Sequence, residues 1–183
     1  VTVKIPRWDL SKFKGASRLL GSTMKSVGEV MSIGRTFPEA LQKAIRMVTE
    51  KGEGLSAHME TTETLEAELK SPTDNRFYYI LEAFHRGLSI EKINQITYID
   101  PWFLFHLREI AAIEKDIRKL GERTYHPNQL NEFIDHLFSK ILPPTWRIWK
   151  TMGFGDEQLA YIVIKAALTF NDHPINISRK EIE

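Results

Sequence analysis

The sequence predicts a mainly α protein whose helices are preceded by a small α+β part. Three observations carry this. Residues 1–8 alternate Val1, Val3 and Ile5 with Thr2 and Lys4, the period-two pattern of a strand. Thr36-Phe37-Pro38-Glu39 is a helix start. Beyond residue 55 the apolar residues recur at helical spacing, as in Phe77, Ile80, Leu81 and Phe84.

Taken in order, the first strand meets Pro6, which ends it or places it at a sheet edge. Ser26 to Ile33 reads as a second short strand, bracketed by Gly28 and Gly34. The helix that follows opens on a capping box, Thr36 accepting from the N–H of residue 39 while Glu39 reaches back. Pro38 sits in its first turn, where a missing N–H costs nothing. Leu41, Ala44, Ile45 and Val48 form its buried stripe, and Gly52 and Gly54 punctuate its end.

Residues 55–61 read as a linker, and a short helix follows from about Thr62 to Leu69. Ser71-Pro72-Thr73 caps a helix from Asp74 to Arg86, with Gly87 in the left-handed position after it. Ser89 caps a two-turn helix ending at Thr97. Asp100 as N-cap and Pro101 at the first position open the longest helix, which the pattern ends at Gly121. Its stripe is Phe103, Leu107, Ile110, Ile113, Ile117 and Leu120. Arg108, Glu109, Lys115, Asp116, Arg118 and Lys119 form its wet face. Further helices are expected from Pro127 to Lys140, broken by Pro143-Pro144, then from Thr145 to Met152 and from Asp156 to Phe170. Asn171 to Pro174 reads as a turn and Ser178 as another N-cap. Gly87–Ile96 and Gly153–Ile162 form a weak repeat, each a C-cap glycine, an apolar anchor, a cap and a short helix.

Composition narrows the function. The 183 residues carry 25 basic and 24 acidic side chains, net +1. A nucleic-acid binder usually shows a basic excess, because phosphate contacts supply much of its affinity. Residues 87–110 have the outline of a helix-turn-helix, but their second helix opens on Pro101, Trp102, Phe103, Leu104 and Phe105, which bury rather than read bases. The sequence thus argues against nucleic acid. No apolar run approaches the roughly 18 residues of a membrane span, and Lys4 and Arg7 interrupt any signal-peptide core. The chain has no cysteine, hence no disulfide framework, thiolate metal site or cysteine nucleophile. That fits a cytoplasmic protein.

Two segments are far more specific than composition. VTVKIPRWDLSKF at residues 1–13 and MKSVGEVMSIGRTFPEALQKAIRMV at residues 24–48 closely resemble the end of the first ATP-grasp half of the carbamoyl phosphate synthetase large subunit. The family signature there is V-x-K-I-P-R-[WF], then MKSVGEVM-x-IGR-[ST]-F-x-E-[AS]-x-QKA-[LI]-R. The helical part resembles the same family's oligomerization domain, through Pro72, Asp74, Arg76, Phe77, Ala83, Gly87, Ser89, Thr97, Ile99, Asp100, Trp102, Phe103 and Leu104. Lys150 to Phe154 resembles its later K-x-x-GFSD element, except that Gly155 stands where serine is usual.

The resemblance implies a fragment in two parts. Residues 1–50 would be the C-terminal end of the carboxyphosphate (ATP-grasp) synthetase unit, contributing its closing strands and last helix. Residues 55–183 would be the helical oligomerization domain. The parent it implies is an ATP-dependent ligase making carbamoyl phosphate from bicarbonate and glutamine-derived ammonia, for pyrimidine or arginine biosynthesis. ATP and Mg²⁺ or Mn²⁺ would bind the parent upstream of Val1. No catalytic, cofactor-binding or metal residue is therefore expected in this segment, whose role would be structural. The implied partners are the other domains of the large subunit, a glutaminase subunit or domain, and further copies in a homo-oligomer. The rival reading is a free-standing helical interaction module, which accounts for residues 55–183 but not for the first 48.

Individual residues fit a structural role. Lys4, Arg7, Lys25 and Arg35 are expected to brace the closing strands through carboxylate pairs rather than to bind phosphate. Glu29 and Glu39 lie ten residues apart on different elements and make no metal pair. The histidines, His58, His85, His106, His126, His136 and His173, show no H-x-x-x-H spacing, and His106 is expected to pack. Core packing claims most aromatics, with Trp146 and Trp149 candidates for an interface.

Overall fold

Val3 and Ile5 share one side of the first strand, and that side needs a cover. In the computed structural model, which describes residues 1–49, 54–57, 65–124, 139 and 141–170, a helix supplies it. Strand β1 (Thr2–Arg7) pairs antiparallel with β2 (Gly28–Ile33), Thr2 opposite Ile33 and Arg7 opposite Gly28. Val3, Ile5 and Ser32 face α1 (Phe37–Val48) and are buried. Met31 and Ile33 lie on the open face. Pro6 stays inside the strand, as an edge allows. The second strand falls within the Gly28 and Gly34 bracket that the pattern sets.

Six more helices follow among the described residues: α2 (Leu65–Lys70), α3 (Arg76–His85), α4 (Ile90–Thr97), α5 (Pro101–Thr124), α6 (Pro143–Thr151) and α7 (Asp156–Phe170). The fold is mainly α with a two-stranded sheet, as expected. One hydrophobic core runs through it, from Val3 and Leu41 to Leu81, Ile110 and Val163. The predicted helix at 127–140, except for Ser139, the turn at 171–174 and the cap at Ser178 lie outside the described residues, as does any part of α2 before Leu65.

Side-chain caps mark three of the seven helix starts among the described residues. Ser89 Oγ accepts from the Lys92 N–H at 3.2 Å, and Asp100 Oδ1 accepts from the Trp102 N–H at 2.8 Å. At α1, Thr36 Oγ1 accepts from the Glu39 N–H at 3.4 Å, but Glu39 Oε2 reaches past the cap to the Arg35 N–H at 2.7 Å. The two glycines of the weak repeat share one geometry. Gly87 (φ +84°) and Gly153 (φ +92°) both sit in the left-handed region. The next N–H then folds back five residues, Leu88 to Ala83 O at 3.0 Å and Phe154 to Trp149 O at 3.1 Å.

The structure corrects several boundaries. Helix α3 starts at Arg76 rather than Asp74, and Asn75, not the 71–73 segment, is its N-cap. Helix α6 starts at Pro143 rather than Thr145, since the first turn needs no N–H from either proline. Gly121 does not end α5. The helix continues to Thr124, and Gly121 faces α7 so closely that an added Cβ would lie 2.3 Å from the Val163 carbonyl oxygen. Phe103 is half-exposed while Leu104 is buried. The 55–61 reading as a linker fails where it is described: Leu55 and Ala57 are buried in the core.

Gly121→Ala should destabilise the chain by about 1–3 kcal/mol through overpacking. At an exposed helix interior the same change would gain about 1 kcal/mol, so the sign of the shift in a denaturation midpoint decides. Asp100→Ala should cost about 1 kcal/mol through the lost cap, read by the same measurement.

Candidate functional site

The segment 54–57 passes between α1 and α2 as a buried strap, and two polar clusters hold it. The first centres on Glu114 of α5, whose side chain is fully buried. The Ala57 N–H donates to both of its oxygens, at 3.0 and 3.1 Å. Arg118, one turn on, donates to Glu114 Oε1 from Nε at 3.1 Å and Nη2 at 2.6 Å, and from Nη2 to the Ala57 carbonyl at 3.2 Å. His85 of α3 lies with Nε2 3.2 Å from Glu114 Oε2. A carboxylate only accepts, so that nitrogen carries the proton. Both polar groups of Ala57 are thus gripped by one ion pair.

Burial alone would push the Glu114 carboxyl up. The His85 hydrogen bond and the Arg118 charge outweigh it and hold the carboxyl below its ordinary value.

The second cluster joins α1 to α7. Gln158 Nε2 donates to Gln42 Oε1 at 2.8 Å and to the Leu55 carbonyl at 3.0 Å. Gln42 Nε2 donates to the Met152 carbonyl at 3.3 Å. Both side chains are wholly buried. Arg46, beside them on α1, donates to the Gly153 carbonyl. Burial draws its pKa down, and Asp156 pushes it partly back. The space where a serine side chain would begin at Gly155 lies 3.2 Å from the Arg46 side chain, which would have to shift by a few tenths of an ångström to admit it.

The residues singled out by sequence lie elsewhere. Lys4 pairs with Glu29 at 2.8 Å and Arg7 with Asp9 at 3.0 Å, both on the sheet side. Lys25 Nζ instead donates to the carbonyls of Ser17 and Leu19, at 3.0 and 2.6 Å. Arg35 meets an acid through its backbone N–H. Glu39 also pairs with Lys43 at 2.6 Å, and these two bonds lower its pKa. His106 packs between Trp102 and Phe37 and bonds Glu109 at 2.8 Å. Trp149 belongs to the core, edge-on to Trp146 at 5.6 Å. A cleft of about 380 Å³ between the end of β1 and the start of α3 is rimmed by two closed ion pairs, Arg7–Asp9 and Arg18–Asp74.

Sequence reasoning missed the clasp. It placed Arg118 on the wet face and gave Glu114 and His85 no part. The signal was there: Glu114 and Arg118 stand seven and eleven residues after Leu107, on the same helical stripe.

A family model described as the carbamoyl-phosphate synthetase large chain, oligomerisation domain, matches residues 29–174. The chain belongs to this family. The match begins inside β2 and takes in α1 and both polar clusters. Multifunctional protein pyr-3 of Neurospora crassa is 48% identical over 160 residues, covering 87% of this chain and 8% of that protein. The large chain, N-terminal section, of Aquifex aeolicus is 40% identical over 166 residues, covering 88% of this chain and 26% of that one. Human mitochondrial carbamoyl-phosphate synthase [ammonia] is 37% identical over 166 residues, 87% of this chain and 10% of the relative. The chain thus spans about a quarter or less of the length of these three. Among the described residues no helix is long and apolar enough to cross a membrane.

Because the folded-state carboxyl of Glu114 titrates below its ordinary 4.5, its stabilisation is in place above that pH and is lost as pH falls through the lowered value. Glu114→Gln should be several kcal/mol less stable at neutral pH, near the ~3–5 kcal/mol of a broken buried pair. It should also lose less stability than wild type below pH 4.5. Urea unfolding across a pH series checks both, and parallel pH profiles would remove the ionised clasp from the account.

Proposed function

We propose that this chain is a segment of a carbamoyl phosphate synthetase large chain, and that its own work is structural. In that reading the parent is an ATP-dependent ligase making carbamoyl phosphate from bicarbonate and ammonia, serving arginine or pyrimidine synthesis. ATP and its divalent metal bind the parent outside this segment, and a glutaminase subunit or domain supplies ammonia. Residues 1–50 close an ATP-grasp unit, and residues 55–183 form the helical oligomerization domain. The segment couples the two and takes part in subunit association.

The observation that carries the coupling is the Gln42–Gln158 pair. It fastens the helix next to the strands, α1, to the last described helix, α7, and to the strap between them. A cut amide pair leaves a buried donor or acceptor unsatisfied, at a cost of about 1–3 kcal/mol, so the two parts resist moving separately. The compartment proposed is the cytoplasm, with the mitochondrion, named for the human relative, as the alternative.

Two measurements test this reading. Titration calorimetry with MgATP should detect no micromolar binding to this chain, and such binding would place a nucleotide site within it. In hydrogen exchange, Gln42→Ala should speed the amides of α1 and α7 together. Loosening of α1 alone, with α7 protected as in wild type, would sink the coupling.

A further inference from the structure

We propose that the cleft between the end of β1 and the start of α3 is a binding site for a free α-amino acid with an apolar side chain. Three elements build its walls. Arg7 ends β1 and Asp9 follows it, Ile45 and Val48 come from α1, and Asp74 and Phe77 stand at the start of α3. The volume of about 380 Å³ lies within the roughly 300–1,000 Å³ of small-molecule sites, near the lower end.

The charges of the lining select the class of ligand. Arg7, Arg18, Asp9 and Asp74 give it two cations and two anions. They stand as pairs, Arg7 with Asp9 at 3.0 Å and Arg18 with Asp74 at 2.7 Å. A phosphate-bearing ligand would meet two carboxylates here, and a polyamine would meet two guanidiniums. A zwitterion that carries an ammonium and a carboxylate on one carbon meets each sign with its opposite.

The Arg18–Asp74 pair has capacity for both ends of such a ligand. Arg18 directs Nε and Nη2 to the same oxygen, Asp74 Oδ1, at 2.8 and 2.7 Å. A guanidinium has N–H donors to spare beyond these. Its Nη1 group can donate to an α-carboxylate while Asp74 Oδ2 accepts from the ammonium beside it, and bonds between charged groups are the strong kind. The Arg18 side chain is 43% exposed, so a ligand can reach the pair, while Asp74 is only 16% exposed. On the apolar part of the lining, Ile45 is buried and Val48 and Phe77 are partly so. An aliphatic or aromatic side chain gains about 25 cal/mol per Å² by leaving water there. A polar one would give up its hydration without a partner among those three.

Titration of the isotope-labelled whole chain with L-phenylalanine, followed by NMR at the amides of Val48, Asn75 and Phe77, tests this. The expected result is one saturable set of shifts at millimolar ligand. Three analogues are compared on the wild-type chain: phenethylamine lacks the carboxylate, hydrocinnamate the ammonium and glycine the side chain. Each should bind about tenfold more weakly, or worse, for want of a charged hydrogen bond or of apolar burial. Asp74→Asn and Arg18→Gln remove one charge each and should weaken phenylalanine by a similar factor, with circular dichroism checking that the helices are intact. Absence of saturable shifts at these amides would overturn the site. Phenethylamine or hydrocinnamate binding as tightly as phenylalanine would overturn the zwitterion, and glycine doing so would overturn the apolar pocket. The analogues act on the wild-type chain, so these outcomes stand even where a variant unfolds.

Discussion

A carboxylate with no access to water governs this structure. Taking an ion out of water costs several kcal/mol, and Glu114 is tolerable in the core only because every side of it is answered: Arg118 by charge, His85 by a ring N–H, Ala57 by a peptide N–H. Each of those groups sits on a different part of the chain or a different turn. The requirement to satisfy one buried acid therefore fixes where α3, α5 and the strap stand relative to one another. The ion pair is weak evidence for stability as such; its effect is on arrangement.

The contact of α5 with α7 extends that arrangement to the remaining elements. At Gly121 the absence of a side chain lets the Val163 carbonyl come within a distance no Cβ would permit. With α7 held there, Gln158 comes to lie between Gln42 and Leu55. The Gln42 amide and the Arg46 guanidinium then take up the carbonyls of Met152 and Gly153, where α6 turns into α7. The strap is consequently gripped at Ala57 from α5 and at Leu55 from α7, so its register depends on both helices.

The local features were legible in the sequence and the long-range ones were not. Thr36, Ser89, Asp100 and the glycines at 87 and 153 act on backbone groups within a few residues, so spacing alone reveals them. The strap has only Leu55 and Ala57 to mark it, between Gly54 and a polar stretch, and short apolar pairs among small residues read as loop. Gly121 looks like a helix end because its reason lies on another helix. Arg118 looks wet because charge is normally solvated, and the wheel position that contradicts this matters only once the partner at Glu114 is known to be inside. Trp149 and Phe103 exchanged roles for the same reason: periodicity says which side of a helix is apolar, not where along it the neighbours run out.

The two-sided grip on Ala57 has a bearing on how this family can vary. Connections between helices ordinarily gain and lose residues freely, since their backbones face water. Here the carbonyl of Leu55 and both peptide groups of Ala57 are spoken for by side chains on two helices. Adding or deleting one residue between them would turn an N–H toward a guanidinium or leave the acid without its donor. Length changes in this connection are therefore confined to either side of the strap, and the spacing between Leu55 and Ala57 behaves as a fixed ruler within an otherwise irregular stretch of chain.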